Sequence, residues 1–264
     1  MLFPFTVFNT LQMRMEQFGK FAQRMAIEIP EWLEKAKQQA VEKFEDVVVA
    51  VQDQSSIPDL LNFHTLFMCF FWTAIMIQGV IFGELIGSQL IEDILPFLCD
   101  DSSAIALNYF LIPLFVYVKL GSIPENSRPA RFMLLAAAIL QGILTGFLLR
   151  HRLPILLASL HLANVLYIAI VSRVVGHKLN NDRQAYYGII NGIAFVIFVI
   201  SALCIGIASK SFMVNAIYAV ISSHIIIQVY MRRVSQSELK PSYLQLAVLI
   251  SSIYAQTLIA LLLM

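Results

Sequence analysis

Charge is scarce in this sequence. Of 264 residues, 13% are charged and 59% hydrophobic, and the mean hydropathy is +0.76. A soluble domain carries about 25% charged residues. A chain of this size has nowhere to hide so much apolar surface except lipid, which excludes soluble nucleotide-binding enzymes and disordered tails. The formal net charge of +1 gives no electrostatic footprint for a nucleic acid partner. Cysteine is scarce too. Cys69, Cys99 and Cys204 are scattered without C-x-x-C spacing, which excludes a disulfide scaffold. After Asp101 only three acids remain, Glu125, Asp182 and Glu238, and all fall between hydrophobic runs. Glu84 sits near the end of the first run. Proton relays and cation pathways in membranes commonly rest on buried carboxylates, so their absence from the later runs argues against a proton-coupled transporter. H-E-x-x-H, G-x-S-x-G, P-loop and G-x-G-x-x-G patterns are missing, and Pro154 separates His151 from His161. No enzyme, cofactor or metal site is therefore expected. Residues 1–8 are apolar but too short for a cleaved signal peptide.

What is present is a series of hydrophobic runs at 63–86, 104–120, 131–149, 153–172, 186–209, 211–231 and 242–264. At a rise of about 1.5 Å per residue, runs near twenty residues match the roughly 30 Å bilayer core. The expected fold is all-α, a polytopic bundle of about seven transmembrane helices. Pro113 predicts a kink or local thinning in the second. Residues 1–57 form a separate amphipathic helical region ahead of a transmembrane domain at 58–264. Phe8, Leu11, Met15, Phe18, Ala22, Met25 and Ile29 make one stripe, and Leu33, Ala36, Ala40, Phe44, Val47 and Val51 a second after Pro30. Asp53 to Pro58 reads as a linker. Fifteen of the 18 Lys and Arg residues fall on the side of the N-terminus and every second loop. The positive-inside rule places that side in the cytoplasm. Arg150 and Arg152 break the pattern locally.

Inside the runs the polar residues are neutral or weakly basic. His161 and Asn164 share a face of the fourth run, Asn191 lies in the fifth and His224 in the sixth. They are either a polar cavity lining or interhelical hydrogen-bond partners. Gly142 with Gly146, and Gly188 with Gly192, form small-residue packing faces for intrachain contact or an oligomer.

Residues 127–147, with Arg128 and Arg131 ahead of a small-residue-rich run containing Gly142 and Gly146, resemble the third helix of the Bax inhibitor (transmembrane Bax inhibitor motif) family. Residues 154–159, 186–192 and 215–218 are similar to the starts of that family's fourth, fifth and sixth helices. The resemblance implies a seven-helix fold with a cytoplasmic N-terminus. It also implies a non-enzymatic regulator of cell death, endoplasmic reticulum stress or calcium homeostasis, acting through contacts with other membrane proteins. The family's acidic pair would fall at Met231 and Leu249, neither of which ionises, so a calcium leak is not implied. Two rival readings accompany it. One is an ion or small-solute leak channel lined by His161, Asn164, Asn191 and His224. The other is a structural subunit of a larger membrane complex, such as a mitochondrial one. The endoplasmic reticulum is the expected location, with the mitochondrial inner membrane as the alternative.

Overall fold

The structure is a computed structural model describing residues 38, 41–42, 44–90, 95–98, 100–124, 127–150, 155–179, 182–206, 208–235 and 241–263. It divides into two compact units, Met1–Gln52 and Asp53–Met264. In the first, residues 44–52 are helical, with Phe44 and Val51 exposed and Val47 half-buried. The stripe expected from Phe8 to Ile29, and Leu33, Ala36 and Ala40 of the second, lie outside the described residues.

Among the described residues, the second unit holds seven helices long and apolar enough to cross a membrane: α1 Phe63–Leu90, α2 Asp101–Ser122, α3 Arg128–Leu148, α4 Leu157–Val174, α5 Arg183–Cys204, α6 Lys210–Val234 and α7 Pro241–Leu263. Among the described residues there is no strand. Side chains set the helix starts. The Asn62 carboxamide oxygen accepts from the amides of His64 and Thr65 at 2.9 and 3.3 Å, Ser127 Oγ from that of Ala130, and Asp182 Oδ1 from that of Ala185. The Asp182 cap starts α5 three residues before the expected run, drawing Arg183 into the helix. Gly206, at φ 75°, ends the helical turns at Ile205 in a left-handed turn, four residues before the end of the expected run. α1 runs on to Leu90 through a π-helical turn, Ile86–Leu90, so Glu84 lies inside the span.

Pro113 is accommodated by a second π-helical turn, Leu107–Leu111. Proline has no N–H and its ring crowds the carbonyl four residues back, that of Tyr109. That carbonyl accepts instead from the Tyr254 hydroxyl of α7, and the Asn108 carbonyl accepts from Gln141 Nε2 of α3 at 2.9 Å.

α1 is the central helix, packed on α3, α4 and α7. Its contact with α3 is backbone on backbone. A Cβ on Gly83 would strike the Ile139 carbonyl, one on Gly87 that of Ile143, one on Gly142 that of Val80 and one on Gly146 that of Glu84. Glycine is what lets these parallel helices touch. α2 and α5 lie at the periphery, where Phe110, Leu114, Phe115 and Val118, and Val196, Ile200 and Leu203, face outward. One apolar cluster joins α1 and α4 to the starts of α5 and α7, and a second joins α1, α2, α3 and α7.

Candidate functional site

The polar interior follows α6, a helix whose inward face alternates small and amide-bearing residues. Toward the end of the bundle remote from Arg183, His161 Nε2 bonds Asn215 Oδ1 at 3.0 Å, while Asn215 Nδ2 donates to the Leu157 carbonyl at 3.1 Å. An amide oxygen can only accept, so the His161 proton sits on Nε2. Two turns on, Asn164 Nδ2 donates to Ser223 Oγ at 2.7 Å and to the Ala219 carbonyl at 3.2 Å. Beside it, Asn191 Nδ2 donates to His224 Nδ1 at 2.9 Å, and the Tyr187 ring packs edge-on against His224 at 4.6 Å. The four residues singled out in the sequence thus fall into three separate pairs along α6. His161 and Asn164 share a helix face without bonding each other. Each pair joins two helices, so the arrangement acts as a lock between α4, α5 and α6.

Among the described residues, the deepest charge at the basic end is Arg183, 3% exposed. Its Nη1 meets Asp53 Oδ2 at 2.9 Å and Ser55 Oγ at 3.1 Å, and its Nη2 donates to Gln228 Oε1 at 2.5 Å. The Ser55 amide donates to Asp53 Oδ1 at 3.0 Å. That amide first, then the Ser55 hydroxyl and the Arg183 guanidinium, holds the Asp53 carboxyl down at about 2, against its partial desolvation. The segment 53–58, expected as a plain linker, is therefore strapped to α5 and α6. Around it, Ser172 Oγ and the Tyr186 hydroxyl share a hydrogen bond of 2.9 Å, and Tyr187 donates to Met231 Sδ at 3.2 Å. Sequence reasoning counts Arg183 only as a loop charge. The Asp-x-Ser turn and an arginine at the edge of an apolar run are the available signals.

Met231 and Leu249 are both fully buried, but in different apolar clusters, so they do not form a facing pair. Gly142 and Gly146 lie in the α1–α3 contact, whereas nothing stands within 4 Å of a Cβ on Gly188 or Gly192. Arg150, out of place by the charge rule, lies 3.7 Å from Asp101 and 4.7 Å from the Phe147 ring. Among the described residues no group of three or more His, Cys, Asp or Glu is placed to hold a metal.

Residues 3–263 match the family described as Interactor of ZYG-11. No curated protein and no solved structure matches the chain. The match overturns the resemblance to the Bax inhibitor family, and with it the expected role in cell death, endoplasmic reticulum stress or calcium homeostasis and its channel and subunit alternatives. The physical reason lies in the motifs. A basic residue before a small-residue run and an aromatic-glycine helix start are what any tightly packed membrane-type bundle uses, as the α1–α3 contact shows.

Proposed function

Because the chain belongs to the Interactor of ZYG-11 family, we propose that it is a non-enzymatic binding partner of a ZYG-11 protein, held in a membrane by its seven-helix bundle. The observation that carries this reading is the extent of the match. Residues 3–263 take in both compact units, so the match covers the charged N-terminal segment as well as the bundle. The bundle suits a frame: its polar side chains along α6 bond one another, and its outer faces are apolar. The distribution of Lys and Arg supports an N-terminus on the cytoplasmic side, within reach of a soluble partner.

The test is co-precipitation of the full chain, extracted in mild detergent, with a purified ZYG-11 protein. A stable complex is expected, and removal of residues 1–52 is expected to abolish it while the bundle keeps its helical signal. No complex with the intact chain would overturn the proposal. Fractionation of tagged protein reads out the membrane, endoplasmic reticulum or mitochondrial inner membrane.

A further inference from the structure

The helical residues 41–42 and 44–52 carry an exposed apolar stripe. Val41, Phe44, Val48 and Val51 follow one another at steps of three, four and three, which places them on one face. All four are exposed, Phe44 at 69%. Glu42, Glu45 and Asp46, also exposed, run along one flank of the stripe. Another side of the helix is already covered, since Ala50 is 1% exposed and Val47 half-buried. Exposed valines suit a helix that only meets water poorly, because β-branched side chains lower helix propensity and bury nothing in return. The spacing is that of an amphipathic helix laid into a groove. Lipid is a poor occupant. Helices that lie on a membrane carry Lys and Arg beside the apolar stripe, and the anionic cytoplasmic surface repels a flank of acids. A second copy of the face brings more acids to the contact rather than a counter-charge. Asp53, the residue that follows the helix, is held by Arg183, so the helix ends on a fixed point and loses less freedom when gripped.

We propose that the face formed by Val41, Phe44, Val48 and Val51 docks into an apolar groove on a ZYG-11 protein, and that the groove carries basic side chains along the rim that meets Glu42, Glu45 and Asp46. The inference rests on the proposed pairing with a ZYG-11 protein and names the surface that makes it. Phe44 is the central anchor, and the acids set the register and speed the encounter.

The full chain in mild detergent is titrated with a purified ZYG-11 protein. The affinity of the parent is compared with those of Phe44→Ala and of Leu60→Ala, which removes an apolar side chain of similar exposure, 67%, outside the helix. Truncating an aromatic anchor at the centre of an interface weakens binding by about 30-fold or more, so that loss is expected of Phe44→Ala and none of Leu60→Ala. Both side chains are exposed, so the variants should keep the parent's helical signal and melting temperature. Glu42→Gln with Glu45→Gln should flatten the fall of affinity with rising salt, and an unchanged slope overturns the basic rim. A photoreactive benzoylphenylalanine in place of Phe44 then identifies the occupant, and a crosslink to the ZYG-11 protein is expected. A crosslink to lipid, to a second copy or within the same chain instead overturns the proposal. Equal affinity of the parent and Phe44→Ala overturns the docking face and leaves the pairing standing. A parent chain that binds no ZYG-11 protein overturns both.

Discussion

Two glycine pairs of identical spacing should respond to alanine with opposite signs. At Gly142 a Cβ would strike the Val80 carbonyl oxygen, with the carbonyl carbon 2.9 Å away, and at Gly146 it would strike the Glu84 carbonyl. The obstacle in both cases is backbone, which cannot rotate aside as a side chain can, so α1 and α3 must separate. Overpacking of this kind costs about 1–3 kcal/mol, partly offset by the gain in helix propensity of up to about 1 kcal/mol. Separation also loosens Gly83 against Ile139 and Gly87 against Ile143. At Gly192 the new methyl meets nothing within 4 Å, so only the propensity gain remains. Thermal unfolding of the purified chain in mild detergent, followed by intrinsic fluorescence, is the assay. Each kcal/mol corresponds to about 2–4 °C for a chain of this size. Gly142→Ala and Gly146→Ala should lower Tm by several degrees, and Gly192→Ala should hold or raise it. If Gly192→Ala lowers Tm as much as Gly142→Ala does, the reasoning from intrachain contact is wrong, because the open face would then be a packed one.

The strap at the basic end gives an asymmetry between its two charges. Asp53→Ala leaves a buried guanidinium without its counter-charge and should cost more, about 3–5 kcal/mol, than Arg183→Met, about 1.5–3 kcal/mol, because the 30% exposed Asp53 rehydrates; chemical unfolding of the two single variants and the double variant measures the coupling. With its folded value held at about 2 against an ordinary 3.8, Asp53 stabilises the strap fully above about pH 4, and that contribution is lost as pH falls through 2. Pepsin cleavage within 53–58 should accordingly rise toward pH 2, and a rate unchanged across that range would contradict the assignment. Tyr254→Phe removes the donor that serves the Tyr109 carbonyl crowded by Pro113, and should destabilise by about 1–2 kcal/mol in the same melts. A neutral result would mean that water serves that carbonyl.

The spans are legible in the sequence because length and apolar content suffice to define them, and lipid imposes the same test on every run. What is not legible shares one cause: it depends on which residues meet across helices. The Gly142 and Gly188 pairs read alike, yet one lies against the α1 backbone and the other faces open space. Arg183 reads as a loop charge because nothing in its neighbours announces Asp53, 130 positions away, or Gln228, 45 positions away. Pro113 is legible as a disturbance, but the π-helical turn that absorbs it depends on Tyr254 of another helix. Asn215, which holds His161, reads only as part of a helix start. The same limit explains why the family resemblance misleads: small-residue runs and aromatic starts report the general needs of close helix contact, which unrelated bundles share. Glu84 marks where the two levels meet. The later runs hold no acid, and the Glu84 carboxyl inside α1 is 1% exposed, with both oxygens unpartnered among the described residues. Its backbone is fixed by the contact of its carbonyl with Gly146, so the side chain has little freedom to leave. Glu84→Gln keeps its size and removes only its ability to ionise. If the bundle is a frame held by close backbone contact, that variant should keep the melting temperature of the parent. A large change in either direction would show that the ionisable group itself, and not the glycine contact beside it, governs the stability of the α1–α3 pair.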